Sequence, residues 1–196
     1  SVNYALSAGY LTHEGIVGGN YDRSNYERLT IRANIGATVF DSSKKRDWLN
    51  KLTVQTSVSY ARILSTGIEA NSEYGSPLGS AITMSPLLDV YATPEQEEEY
   101  KTLYPEGYEH IVRDANGRPY TVVDGGVYNE QTNPLAFLSL PGTKYETDKF
   151  IANFVGEISL YDGLKFRSSV GVDLAFWGNH GYNKQYFLSS KRYSYN

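Results

Sequence analysis

Five stretches of the chain alternate apolar and polar residues with a period of two. In the clearest, Leu29, Ile31, Ala33, Ile35, Ala37 and Val39 are interleaved with Arg28, Thr30, Arg32, Asn34, Gly36 and Thr38. This period places successive side chains on opposite faces of a β-strand. The polar face carries two arginines and an asparagine, which a dry core accepts only when they are partnered. A strand with lipid on one side and a wet lumen on the other satisfies both faces.

The same alternation predicts strands over residues 3–16, 26–40, 52–68, 149–161 and 164–177. The first presents Tyr4, Leu6, Ala8 and Tyr10 on one face. The third sets Leu52, Val54, Val58 and Tyr60 against Thr53, Gln55, Ser57 and Ser59. The fourth sets Phe150, Ala152, Phe154 and Ile158 against Asn153, Glu157 and Ser159. The fifth sets Phe166, Val170, Val172, Leu174 and Phe176 against Lys165, Arg167, Ser169 and Asp173.

The predicted connections are very unequal. Gly18-Gly19-Asn20 opens a turn, the charged run 41–47 is a short link, and Asp162-Gly163 is a hairpin signal. Between residues 69 and 147 the alternation stops, which predicts a long loop. The larger connections all fall on one side of the sheet and the short turns on the other. Outer-membrane barrels have this asymmetry, with the longer loops extracellular.

The long loop is expected to carry structure of its own and hence function. Thr93-Pro94-Glu95-Gln96 reads as a capping box with proline at the first helical position, opening a short acidic helix that Pro105 ends. Residues 110–123, centred on Asp114-Ala115-Asn116-Gly117, read as a hairpin around an Asn-Gly turn.

Composition narrows the classes. The 196 residues are 40% hydrophobic and 20% charged, and no apolar run reaches the length of a transmembrane helix. A net charge of −4 without a basic stripe argues against nucleic acid as a partner. The absence of cysteine excludes disulfides and thiolate metal sites. The chain opens Ser1-Val2-Asn3, without Met or a signal peptide, so it is expected to be a mature product or a piece of something longer. The 18 tyrosines outnumber the 7 phenylalanines, which fits both the aromatic girdles of barrels and sugar- or peptide-binding loops.

The run Tyr4-Ala5-Leu6-Ser7-Ala8-Gly9-Tyr10-Leu11, followed by Glu14-Gly15-Ile16-Val17, resembles a strand of TonB-dependent outer-membrane transporters, and within them the SusC/RagA type. Glu27-Arg28-Leu29-Thr30-Ile31-Arg32-Ala33-Asn34 is similar to that group's following strand. Asn133-Pro134-Leu135-Ala136 and Gly163-Leu164-Lys165-Phe166-Arg167 are similar to recurrent pieces of its barrel. The resemblance covers nearly the whole chain, in the same order. It implies TonB-driven import of glycans or peptides across the cell outer membrane of a Gram-negative bacterium. It also implies a surface lipoprotein lid of the SusD type as partner, with the TonB complex acting through an N-terminal region.

The TonB box, the plug domain and a carboxy-terminal barrel strand of that family are not seen in this sequence. Five strands cannot close a barrel, and plugged transporters have about 22. The expected architecture is therefore all-β, with antiparallel strands forming an arc of a large transmembrane barrel and one long extracellular loop. Its partners would be outer-membrane lipid and the rest of its own barrel and plug.

Catalysis has little to stand on. His13 and Glu14 are strand neighbours and point to opposite faces. The run Glu95, Glu97, Glu98, Glu99 reads as a solvated helix face. Asp114-x-Asn116-Gly117 is similar to the start of a calcium loop but lacks the later ligands, so it reads as a turn. No phosphate loop, nucleophile elbow or metal-binding helix appears, and no enzyme activity, cofactor or metal is expected.

The candidate functional residues form two sets. Arg28, Arg32, Asn34, Gln55, Arg167 and Asp173 are expected to face the lumen and meet the plug, one another or substrate. Tyr91, Tyr100, Tyr104, Tyr108, Tyr120 and Tyr128 are expected to give the long loop its aromatic surface. Those rings can stack on sugars, dock a partner lid or pack the loop onto itself. Two alternatives stay open. A soluble β-sandwich carbohydrate-binding module would pack all five apolar faces on a second sheet. A passive porin segment would differ only in lacking a plug.

Overall fold

The computed structural model describes residues 1–42, 48–68, 76–124, 126–127, 131–161 and 163–195. Five long strands make one sheet in the order β1-β2-β3-β4-β5: β1 Val2–Glu14, β2 Asn25–Asp41, β3 Lys51–Thr66, β4 Lys144–Ser159 and β5 Lys165–His180. Three short helices, α1 Pro77–Thr83, α2 Pro94–Leu103 and α3 Pro134–Leu138, lie between β3 and β4. A small hairpin, β6 Tyr186–Ser189 and β7 Arg192–Ser194, follows β5. The protein is mostly antiparallel β-sheet, as the alternation predicts. No described helix is long and apolar enough to cross a membrane, which says nothing of strands.

The chain divides into two compact units. The first, Ser1–His13, Tyr26–Ser65 and Tyr145–Asn179, is the five-stranded sheet. The β2–β3 register keeps its faces distinct: Ile31 pairs with Tyr60, Ala33 with Val58 and Ala37 with Val54, while Thr30 pairs with Ala61, Arg32 with Ser59 and Asn34 with Ser57. A one-residue slip would reverse every one of these facings. The register shifts between Thr38 and Phe40, where Phe40 pairs with Leu52. This bulge returns Phe40 to the apolar face, against the simple alternation that put Val39 there.

The β4 strand begins at Lys144, five residues earlier than the alternation gives, because Glu146 and Asp148 occupy the apolar-side positions at its start. Both are held by β3: Tyr60 Oη donates to Asp148 Oδ1 at 2.5 Å, and Arg62 pairs with Glu146 at 3.8 Å. A polar strand end is invisible to a search for apolar period. The short connections are tied by backbone bonds. Ser42 N–H donates to the Asn50 carbonyl at 2.9 Å, and Leu160 N–H to the Leu164 carbonyl at 2.9 Å, with Gly163 at φ +85°. Residues 43–47 of the charged link, and Asp162 of the hairpin signal, lie outside the described residues.

The second unit is assembled from Glu14–Asn25, Thr66–Lys144 and His180–Asn196. These are the β1–β2 connection, the β3–β4 connection and the segment after β5, all leaving the same ends of the antiparallel strands. The expected long loop is thus largely a folded unit. The hairpin at 110–123 forms as read, although its turn is Asp114–Gly117 with a bond from Gly117 N–H to the Asp114 carbonyl at 3.0 Å. Gly117 has φ +82°, whereas no positive φ occurs at Asn116, so the left-handed residue is the fourth of the turn and not one of a central Asn-Gly pair.

The hairpin's side chains feed two cores. Ile111 and Val122 join Tyr100 of α2 and Phe187 of β6, while Val112 and Tyr120 join Ala136, Leu140 and Leu188. Single bridges of parallel type join Ile111 to Phe187 and Val123 to Ser189. The result is a short β-layer with α2 on one face and α3 on the other. The alternation did not foresee β6, whose apolar run Tyr186-Phe187-Leu188 is too short to carry a period.

Candidate functional site

The sheet's polar face gathers all six lumen candidates. Grooves open on this face of the sheet. One, of about 360 Å³, includes Ser7, Gly9 and Leu11 of β1 and Arg28, Thr30 and Arg32 of β2. A second, of about 390 Å³, includes Asn3, Asn34, Gln55, Ser57 and Asn153. A third, of about 70 Å³, includes Gln55, Glu157 and Arg167. Asp173 belongs to the same face through its ion pair with Lys149 at 3.5 Å, beside the Lys165–Glu157 pair at 3.6 Å.

The charges of this face are unevenly matched. Asp173 and Glu157 each meet a lysine, while Arg28, Arg32 and Arg167 have no carboxylate partner among the described residues. Arg28 Nε donates only within its own strand, to Thr30 Oγ1 at 3.2 Å. Planar guanidinium groups left open in a groove can accept carboxylates, phosphates or carbonyl-rich surfaces.

The opposite face is apolar and open. Leu6 is 75% exposed, Ile35 50%, Phe154 48% and Phe176 64%. Leu29, Ile31, Phe150, Val170 and Leu174 share this exposure. A continuous apolar surface of this size marks a surface that another apolar medium or partner covers.

The loop tyrosines are placed differently from the lumen set. Tyr100 and Tyr120 are buried. Tyr91 stacks on Tyr120 with ring centroids 5.0 Å apart and is itself covered by the Arg118 guanidinium at 4.1 Å. Tyr104 sits 4.9 Å from the ring of Phe187, and Tyr108 packs against the same core. Three of the hydroxyls are also committed: Val122 N–H donates to Tyr100 Oη at 3.2 Å, Ser139 Oγ to Tyr120 Oη at 2.9 Å, and Tyr108 Oη to Glu97 Oε1 at 2.9 Å. These rings pack the unit on itself. Tyr128 lies outside the described residues.

Polar groups elsewhere in this unit also serve the fold. The Thr93 box closes in both directions, with Thr93 N–H donating to Gln96 Oε1 at 2.9 Å and Gln96 N–H to Thr93 Oγ1 at 3.3 Å. Arg113 Nη2 donates to Glu97 Oε1 at 2.7 Å, and this bond, with that of Tyr108, holds the Glu97 carboxyl below its ordinary range. Asp114 accepts from Asn116 N–H and Arg118 N–H at 2.9 Å, so its carboxylate is spent on the turn. His110 stacks on Tyr195 at 5.1 Å. Among the described residues no group of three His, Cys, Asp or Glu could hold a metal ion.

Asn133 is a structural residue that sequence reading missed. Its Oδ1 accepts from Leu135 N–H at 3.1 Å and Ala136 N–H at 3.3 Å, capping α3, and its Nδ2 donates to the Val90 carbonyl at 2.8 Å. The Asn133-Pro134 pair, similar to a barrel piece in sequence, is a helix start here. The asparagine-proline order was the available signal. No protein-family model matches the chain, and no curated protein matches it.

Proposed function

We infer that the chain forms an arc of the wall of a TonB-dependent outer-membrane transporter of the SusC/RagA type, which imports glycans or peptides. The observation that carries this reading is a single five-stranded sheet with one apolar and one polar, grooved face, both open. Lipid would cover the first face, and a plug or substrate would meet the second through Arg28, Arg32, Asn34, Gln55, Arg167 and Asp173.

Within the sheet, β1 and β5 each have one neighbouring strand. An edge exposed to lipid leaves unpaired backbone groups that cost several kcal/mol each, so further strands are required on both sides. The larger connections, which join the same ends of the strands, would be extracellular and would adjoin a SusD-type lid. The role is wall, plug contact and mouth, without catalysis. The carbohydrate-binding sandwich is disfavoured by architecture: it needs two facing layers, and the five strands lie in one.

The test uses the chain's lack of cysteine. Ile35→Cys and Asn34→Cys are introduced singly, and intact membranes are treated with a membrane-impermeant maleimide. Ile35→Cys should stay unlabelled until the protein is denatured, while a lipid-soluble reagent labels it in the membrane. Ready labelling of Ile35→Cys by the impermeant reagent, or release of the chain without detergent, overturns the reading.

A further inference from the structure

The second unit contains a cavity of about 210 Å³. Among the described residues, Arg23, Lys184 and Arg192 line it together with Phe137, Tyr182 and Asn183, and no Asp or Glu does. The central group is Arg23, which the sequence reading passed over inside a polar turn. Gly18, at φ +82°, turns the chain so that Arg23 N–H bonds the Gly18 carbonyl at 2.9 Å. The side chain is then carried inward, where only 8% of the residue stays exposed.

A buried guanidinium needs hydrogen-bond acceptors and a counter-charge. Arg23 has little of either. Its Nη1 donates to the Leu140 carbonyl, and the Phe137 ring lies 5.5 Å from its central carbon. Its Nε is buried and has no hydrogen-bond partner among the described residues. Arg192 approaches the same Phe137 ring at 4.6 Å, which brings a second guanidinium to the same wall. The one acid beside Arg23 in sequence, Asp22, is turned to Lys144 at 3.4 Å. Burial accordingly lowers the Arg23 pKa from its ordinary value.

We propose that this cavity binds a carboxylate group of a small ligand, with Arg23 and Lys184 as its charged contacts and the exposed ring of Tyr182 flanking the group that bears it. A guanidinium fork matches the two oxygens of a carboxylate, and Lys184 adds a mobile point charge at the open side. The volume suits one sugar ring or one amino-acid residue rather than a longer chain. The inference does not depend on the transport reading, since a carboxylate site in this unit would serve a soluble module equally.

The experiment is titration calorimetry on the full chain in detergent, with four probes: a uronic-acid disaccharide, its neutral counterpart, a glutamyl dipeptide and inorganic phosphate. The uronic-acid disaccharide, the dipeptide or both should bind, and the responding probe identifies the carrier of the carboxylate. Lys184→Gln, whose side chain is exposed, should weaken that binding about fivefold to tenfold without moving the melting temperature. Arg23→Lys should weaken it further, and its melting temperature shows whether the fold is kept. Equal binding of the neutral sugar, binding of phosphate alone, no binding of any probe, or unchanged affinity in Lys184→Gln overturns the assignment.

Discussion

Ile31 of β2 stands directly opposite Tyr60 of β3, and both project from the apolar face of the sheet. One residue along, Arg32 stands opposite Ser59 on the polar face. The boundary between two chemistries therefore runs through the plane of the backbone.

Ile31→Arg and Ile35→Arg should each impair assembly, by about 2–4 kcal/mol near a bilayer midplane. Thr30→Arg, on the polar face, should be milder. Urea titration of the assembled protein in lipid vesicles reads the difference, and equal tolerance at all three positions would remove the lipid-facing assignment.

Gly117 carries φ +82° in open space, with no atom within 4 Å of the place a Cβ would take. Only backbone strain opposes substitution there. Gly117→Val should lower the stability of the second unit by about 1–2 kcal/mol, and Gly117→Asn by a few tenths. Thermal melts of the two variants check this ranking, and similar losses would point to packing rather than to the left-handed backbone.

Asn133→Ala removes an α3 cap and leaves the Val90 carbonyl without its side-chain donor. The Val90 carbonyl keeps its bond from Thr121 N–H at 3.0 Å, so the loss should be about 0.5–2 kcal/mol, that of a helix cap. Faster limited proteolysis within residues 76–144 is the expected readout, with the five-stranded sheet's cleavage unchanged.

The Glu97 carboxyl is held below its ordinary value by Arg113 and then by Tyr108. A depressed carboxyl stabilises the fold above its unfolded-state pKa, and that contribution is lost as pH falls through the lower folded value. The second unit should therefore loosen on acidification below the ordinary carboxylate value of 4.5, and Glu97→Gln should flatten that part of the profile. Tyrosine fluorescence against pH for both proteins provides the comparison.

The sequence by itself determined the strands and their facing. Leu29 through Val39 alternate as a half-apolar strand and residues 52–60 do the same, which fixed the faces, while the register between them came from the structure. It also determined the Thr93 capping box and the Asp114 turn, because these are closed by residues two to four positions apart. Tertiary structure alone decided where Arg23 went, that Tyr100 and Tyr120 became core rather than surface, and that Phe187 and Leu188 completed cores begun some 75 residues earlier in the chain. Those outcomes depend on contacts between segments far apart in sequence, and no local period or spacing records which distant side chain will fill a cavity or leave a charge enclosed.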